Sequence, residues 1–389
     1  MSASRISKRV RAVPKSGIRR FFDLASSVED IISLGVGEPD FCTPWHIREA
    51  CIYSLETGRT SYTSNYGLLE LRERISQHYR SRYGLDYSPE KEVLITTGVS
   101  EGLDIAMRSL IDPGDEVLIV EPCYVSYVPT VSFAGGVPVY VSTSQEGGFV
   151  PTYEDICSKI TQKTKLLVLN YPNNPTGAVL TKRALKEVAD AAIEHDLLVV
   201  SDEVYCELTY EGTHTCLAQL DGMRERTVVL NGFSKSHAMT GLRIGYALAP
   251  PDIIEAMMTV HQYTMLCAPI TAQIGAMEAI ENGQDAVSSM RREYDRRRRF
   301  MLARLNKIGL PCFEAKGAFY LFPSVENTGL SAEEFTERLL QQEHVVVVPG
   351  DVFGPSGRGH VRCSYATSLE HLKVAAERME RFVEECSRH

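Results

Sequence analysis

The stretch Leu166-Leu167-Val168-Leu169-Asn170-Tyr171-Pro172-Asn173-Asn174-Pro175-Thr176-Gly177 decides the fold class. Four apolar residues run without a break and then give way to a polar, proline-bearing turn. A strand with one wet face alternates apolar and polar residues, whereas an unbroken run suits a strand buried on both faces. A helical stretch over 181–195 follows, and then a second run, Leu197-Leu198-Val199-Val200. Further runs lie on either side: Val93 to Ile95, Val117 to Val120, Val137 to Val141, and Val228 to Leu230. Helical spacing fills the gaps, as over 101–111. This alternation predicts an α/β domain whose mostly parallel sheet is covered by helices.

The large domain is expected over residues 46–285, with helices near 46–56 and 66–83 ahead of the first run. After about 285 the rhythm becomes irregular. A charged helix over 286–308 leads to the strand-like Ala318 to Phe322. A helix near 332–342, the run Val345 to Val348, a Gly/Pro loop over 349–359 and a helix from 368 follow. Residues 286–389 thus read as a smaller α+β domain, with the N-terminal segment 1–45 packing on it and on the cleft.

Composition limits the function. The 389 residues are 44% hydrophobic, 23% charged and 8% aromatic, enough apolar content for a sizeable core. Fifty acidic against 41 basic residues give a net charge of −9, which disfavours nonspecific binding to nucleic acid or anionic membranes. No stretch approaches the ~18 apolar residues of a membrane span. The ten cysteines are dispersed with no CxxC pair, against a zinc finger or a thioredoxin-like site and in keeping with a reducing cytoplasm.

Three successive strand ends carry polar groups. The first presents Asn174, and the second is Ser201-Asp202-Glu203-Val204-Tyr205. The third is Gly232-Phe233-Ser234-Lys235, with Met239, Gly241 and Arg243 just beyond. In open α/β sheets ligands bind at the carboxyl ends of strands, so these groups converge where a site is expected. Gly98-Val99-Ser100 opens a helix after another strand, and free amides at a helix start suit an anion.

With these motifs the sequence resembles the class I/II aminotransferases, fold-type I enzymes of pyridoxal 5′-phosphate (PLP). It is most similar to the archaeal and bacterial branch of aromatic and aspartate aminotransferases. The likeness runs from Gly35-Val36-Gly37-Glu38-Pro39-Asp40-Phe41 to His360-Val361-Arg362-Cys363-Ser364-Tyr365-Ala366-Thr367. It implies that Lys235 is the Schiff-base lysine and general base, and that Asp202 pairs with the pyridinium nitrogen. Asn174 and Tyr205 then serve the phenolate oxygen, and Tyr124 stacks on the ring. Val99, Ser100, Ser234 and Arg243 hold the phosphate. Tyr62 reaches the phosphate of a neighbouring subunit, which implies a homodimer. Arg362 clamps the substrate α-carboxylate, since planar two-point pairing suits arginine, and Gly37 adds its amide. Asn174 also belongs to the substrate site.

The resemblance implies a transaminase acting on an L-amino acid, aromatic or broadly neutral, with aspartate and alanine also open, and a 2-oxo acid such as 2-oxoglutarate. The same scaffold hosts PLP-dependent C–S lyases and PLP-sensing regulators, so fold does not settle the reaction. About 30 residues precede Ile31, too few for a regulator's DNA-binding domain. Two positions depart from many relatives: Gly232 stands where serine is common, and Leu242 where tryptophan is. The run Arg296 to Arg299, interleaved with Glu293 and Asp295, reads as a solvated, salt-bridged helix face. Gly35-Val36-Gly37 lacks the third glycine and βα setting of a dinucleotide loop, and His195 and His237 show no metal-ligand spacing.

Overall fold

A computed structural model of the chain describes residues 5–13, 17 and 30–386. The rest of the 1–45 segment lies outside the described residues. The chain opens with α1 (Lys8–Ala12), β1 (Ile32–Ser33), α2 (Trp45–Glu56) and α3 (Leu69–Tyr83). Next come β2 (Val93–Thr96), α4 (Val99–Leu110), β3 (Glu116–Glu121), α5 (Tyr127–Ala134) and β4 (Val137–Ser142). Then follow α6 (Tyr153–Cys157), β5 (Thr164–Asn170), α7 (Lys182–Glu194), β6 (Leu198–Asp202), β7 (Thr227–Gly232) and β8 (Gly245–Leu248). Three helices, α8 (Pro251–Thr264), α9 (Ile270–Asn282) and α10 (Gln284–Lys307), precede β9 (Tyr320–Leu321) and α11 (Ala332–Glu343). The chain ends with β10 (Val345–Val346), β11 (Val348–Pro349), β12 (Val361–Ser364) and α12 (Leu369–Cys386).

Seven strands form the main sheet in the order β2-β8-β7-β6-β5-β3-β4. The five from β7 to β4 run parallel, and β8 is antiparallel to both β7 and β2. The sheet is therefore mixed but mostly parallel, as the unbroken apolar runs predict. Every residue of β2, β7 and β8 is buried. On α4, Leu103, Ala106, Met107 and Leu110 recur at helical spacing and pack beneath the sheet in one apolar cluster. Helix α7 starts where the Thr181 side chain accepts the Ala184 amide, an N-cap that satisfies one free donor of the first turn.

The last third builds a three-stranded antiparallel sheet, β11-β12-β9, and its own apolar cluster. Ile32 and Leu34 join that cluster, because β1 pairs in parallel with β10. At the other end of the N-terminal segment, Arg9 on α1 donates to the Phe133 carbonyl at the end of α5.

One sequence expectation needs correction. The arginine run of α10 is salt-bridged but only half solvated. Arg296 and Arg299 are exposed, whereas Arg297 and Arg298 are buried. Arg297 forks onto Asp40 at 2.9 Å and onto Glu293, and Arg298 bonds Asp295 and the Ala315 carbonyl. They fall on the buried stripe of the helix, alongside Tyr294 and Met301.

Candidate active site

Strands β5, β6 and β7 are neighbours, so their carboxyl ends deliver Asn170, Asp202 and Gly232 side by side. Above them lies a cavity of about 360 Å³. Gly37, Val99, Ser100, Tyr124, Asn174, Asp202, Tyr205, Ser234, Lys235, Arg243 and Arg362 all line it. Tyr62 does not. It is 82% exposed on the outside of its own chain.

Asp202 is buried at the end of β6. Its Oδ2 accepts the Tyr127 hydroxyl at 2.8 Å and its Oδ1 the Val204 amide at 3.2 Å. Burial pushes its pKa up to about 6, against the lowering effect of these two donors. The position thus holds a carboxylate that is costly to keep charged and is relieved by a cation placed beside it.

Lys235 shows the opposite shift. Its Nζ donates to the Gly37 carbonyl at 2.8 Å. Burial lowers its pKa to about 8; Glu38 and Asp202 work against that shift, while Arg362 and Arg243 add to it. At pH 7 about a tenth of such an amine is unprotonated, far more than for an ordinary lysine, and that fraction can act as nucleophile or base. Here Gly37 faces the lysine with its carbonyl, whereas the sequence reading assigned its amide to the substrate.

Arg362, on β12, is buried. Its Nη1 donates to Asn174 Oδ1 at 2.9 Å and its Nη2 to the Gly35 carbonyl at 2.7 Å. The guanidinium lies over the rings of both Tyr320 and Phe353, with centroids 4.6 and 4.9 Å away, and Nε is buried without a partner. Because Asn174 spends its carbonyl oxygen on Arg362, its NH₂ remains to donate into the cavity. The Tyr205 hydroxyl meets that of Tyr320 at 2.8 Å, and burial pushes the Tyr205 phenol well above its usual pKa, so it stays a neutral donor.

The turn before α4 forms a cradle. Gly98 has φ +78°, and a Cβ there would sit 2.7 Å from Arg243 Nη2. The guanidinium therefore lies directly against the Gly98 turn that leads into Val99 and Ser100. A Cβ at Gly232 would meet the Ile244 carbonyl at 2.9 Å and the Gly245 Cα at 3.0 Å, so the backbone leaves little room for a side chain at this position.

Four residues escaped the sequence reading. Tyr127 and Tyr320 are orienting hydroxyls, found only through their partners on other elements. Asn170 donates to the Asp202 carbonyl and accepts the Asn174 amide, tying two strand ends together. Gly35 supplies the carbonyl that holds Arg362. A polar residue closing an apolar strand, as Asn170 does, was the available signal. Among the described residues no cluster of three or more His, Cys, Asp or Glu is placed to hold a metal, and no helix is long and apolar enough to cross a membrane.

The chain matches the family model of aminotransferase class I and II over residues 29–379. It is 52% identical to the putative aminotransferase YugH of Bacillus subtilis, with 98% of each chain covered. It is 46% identical to the aromatic-amino-acid aminotransferase 2 of Thermococcus litoralis, again with 98% of each covered. The solved structure of the aspartate aminotransferase from Thermus thermophilus with maleate superposes with a TM-score of 0.93 at 41% identity, covering 97% of this chain and 100% of that one.

Proposed function

The chain belongs to the class I and II aminotransferases, and from that premise we propose that it moves the amino group of an aromatic or broadly neutral L-amino acid to a 2-oxo acid such as 2-oxoglutarate, with PLP held in the cavity over β5, β6 and β7. One observation carries this reading. Lys235, Asp202, Asn174, Arg243 and Arg362, drawn from distant parts of the sequence, line a single cavity.

The cavity suits that cofactor. The Gly98 turn and Arg243 offer amides and a positive charge to a phosphate. Asp202 offers a buried carboxylate to a protonated ring nitrogen, and Tyr124 offers its ring for stacking. Asn174 and Tyr205 offer neutral donors to a phenolate oxygen. PLP supplies a carbonyl carbon that captures the substrate amine and a ring that takes up the electron pair released at Cα.

The chain's own residues do the rest. Arg362 binds the α-carboxylate by charge-assisted hydrogen bonds and so fixes how the substrate enters. Lys235 Nζ removes the Cα proton, and a base whose pKa lies near 8 is well matched to neutral pH. Asp202 keeps the proton on the ring nitrogen. Leu103, Tyr124, Val204 and Tyr320 add apolar wall, which suits a neutral or aromatic side chain. The name of the Thermococcus relative points the same way, while that of the Thermus structure keeps aspartate among the donors to be tried.

The second subunit belongs to the same reading. Trp45, Tyr53 and Leu55 at α2, Tyr62, and Tyr263 at the end of α8 are all more than half exposed, with Ile52, Met265 and Leu266 beside them. So much exposed aromatic and aliphatic surface favours an isologous homodimer in which Tyr62 serves the neighbouring site. Ten free cysteines fit a reducing cytoplasm.

A donor screen tests the reaction. Purified holoenzyme should convert aromatic amino acids only when a 2-oxo acid is present, forming the matching oxo acid and glutamate from 2-oxoglutarate. Release of pyruvate, ammonia and a thiol from cystathionine, without need of an oxo acid, would establish a C–S lyase instead.

A further inference from the structure

Glu121 closes β3, three residues before Tyr124, and is buried. Its carboxylate accepts three hydrogen bonds. Ser142 Oγ donates to Oε1 at 2.9 Å, Ser356 Oγ to Oε1 at 3.1 Å, and the Ser356 amide to Oε2 at 3.3 Å. The Cys123 amide donates to the Phe353 carbonyl at 2.8 Å. The end of β3 thus grips the loop 350–357 at two points.

That loop behaves as one piece. Gly350 and Gly357 lie backbone against backbone, with no room for a Cβ at either. Gly354 has φ +116°, and a Cβ there would run into the Glu121 carboxylate. Phe353 belongs to this loop, is buried, and lies with its ring centroid 4.9 Å from the Arg362 guanidinium, which also lies over Tyr320. With Nε unpartnered, Arg362 owes its orientation to two hydrogen bonds and two ring faces.

We propose that Glu121 is a positioning residue for the reaction: by anchoring loop 350–357 it presses Phe353 onto Arg362 and thereby sets the affinity for the α-carboxylate that both substrates share. The inference rests on Arg362 being the carboxylate site. It assigns to Glu121 an effect on carboxylate binding and none on the cofactor.

The test uses the holoenzyme of Glu121→Ala, Gly354→Ala and Ser356→Ala, with Arg362→Lys as reference. Gly354→Ala displaces the anchor without removing a hydrogen-bonding group, and Ser356→Ala removes one bond of three. KM for every amino donor and oxo acid should rise by a common factor of about ten in Glu121→Ala and Gly354→Ala, with kcat within about threefold. Ser356→Ala should show a smaller rise of the same kind. The dissociation constant of hydrocinnamate, an unreactive carboxylate read by its perturbation of cofactor absorbance, should rise in parallel. The resting cofactor spectrum and the cofactor affinity should match wild type. If Arg362→Lys raises KM while the folded variants of Glu121, Gly354 and Ser356 do not, the linkage through Phe353 is wrong. If those variants lose cofactor or thermal stability without weakening hydrocinnamate binding, Glu121 is merely structural and the proposal falls. If Arg362→Lys itself leaves KM unchanged, the carboxylate site is elsewhere and the proposal falls with it.

Discussion

Replacing Asp202 with asparagine should stabilise the cofactor-free protein while abolishing its activity. Burial raises the Asp202 pKa from 3.8 to about 6, a shift of about two units, or about 3 kcal/mol. The sign follows from proton linkage. The folded state holds this proton more tightly than the unfolded chain. Below pH 3.8 both states are protonated and the position costs nothing. Between 3.8 and 6 stability falls as pH rises, and above 6 the full penalty is present. Asparagine is neutral throughout. Its Oδ1 keeps the Val204 amide, and its NH₂ donates to the Tyr127 hydroxyl, which can accept. Allowing for the reoriented tyrosine proton, we expect a gain of roughly 1–3 kcal/mol at pH 8. With 389 residues, unfolding entropy of about 0.8 kcal/mol/K converts this to a Tm increase of roughly 1–4 °C. The assay is calorimetry of apoenzyme and Asp202→Asn at pH 8 and pH 4.5, where the gain should shrink to about a third of its pH 8 value. Saturating PLP should reverse the order, because wild type binds the cofactor more tightly and gains more from it. An Asp202→Asn apoenzyme no more stable than wild type at pH 8, or a gain independent of pH, would refute the claim that burial outweighs the hydrogen bonds that Asp202 accepts.

Apoenzyme should regain PLP at a rate that rises through pH 8 and then levels, because the unprotonated fraction of Lys235 grows as pH passes its lowered pKa; borohydride should fix the pyridoxyl group on Lys235. Tyr127→Phe removes a donor to a buried carboxylate, a bond of about 1.5–3 kcal/mol, so Asp202 protonates more readily and PLP affinity at pH 7 should fall by about two- to fifteenfold as measured by absorbance titration. Arg362→Lys keeps the charge but loses the planar grip, and kcat/KM should fall about tenfold or more while the resting spectrum stays nearly unchanged. Light scattering should show a dimer, and Tyr62→Phe should weaken PLP binding without dissociating it; a fully active monomer would remove Tyr62 from the site.

What the sequence makes legible is what adjacency along the chain encodes. The unbroken apolar runs of β5, β6 and β7 announce strands buried on both faces, and the polar residues that end them fall at one edge of the sheet because those strands are neighbours. Strand β8 is harder to read. Gly245-Tyr246-Ala247-Leu248 is short, begins with a glycine and follows the Arg243 loop, so its antiparallel place between β7 and β2 emerges only from pairing. Tyr320, 115 residues from its partner Tyr205, and Ser356, 235 from Glu121, are equally silent, since no local pattern says which hydroxyl a folded chain will bring to which acceptor. The arginines of α10 differ, because there the signal was present. Val287, Met290, Tyr294, Met301 and Leu305 recur every three or four residues apart from one gap of seven. Arg297 and Arg298 fall in that gap, on the apolar stripe, while Arg296 and Arg299 flank it. Counting charges along the run points to a solvated face; following the period around the helix places two of the four guanidiniums inside. A buried cation without counterions costs several kcal/mol, so the helix period also calls for acidic partners. Glu293 and Asp295 are local, but Asp40 lies 257 residues away, in the segment that leads from Gly37 toward α2. The pair therefore pins the N-terminal strand beside the carbonyls of Gly35 and Gly37, the same two groups that hold Arg362 and Lys235.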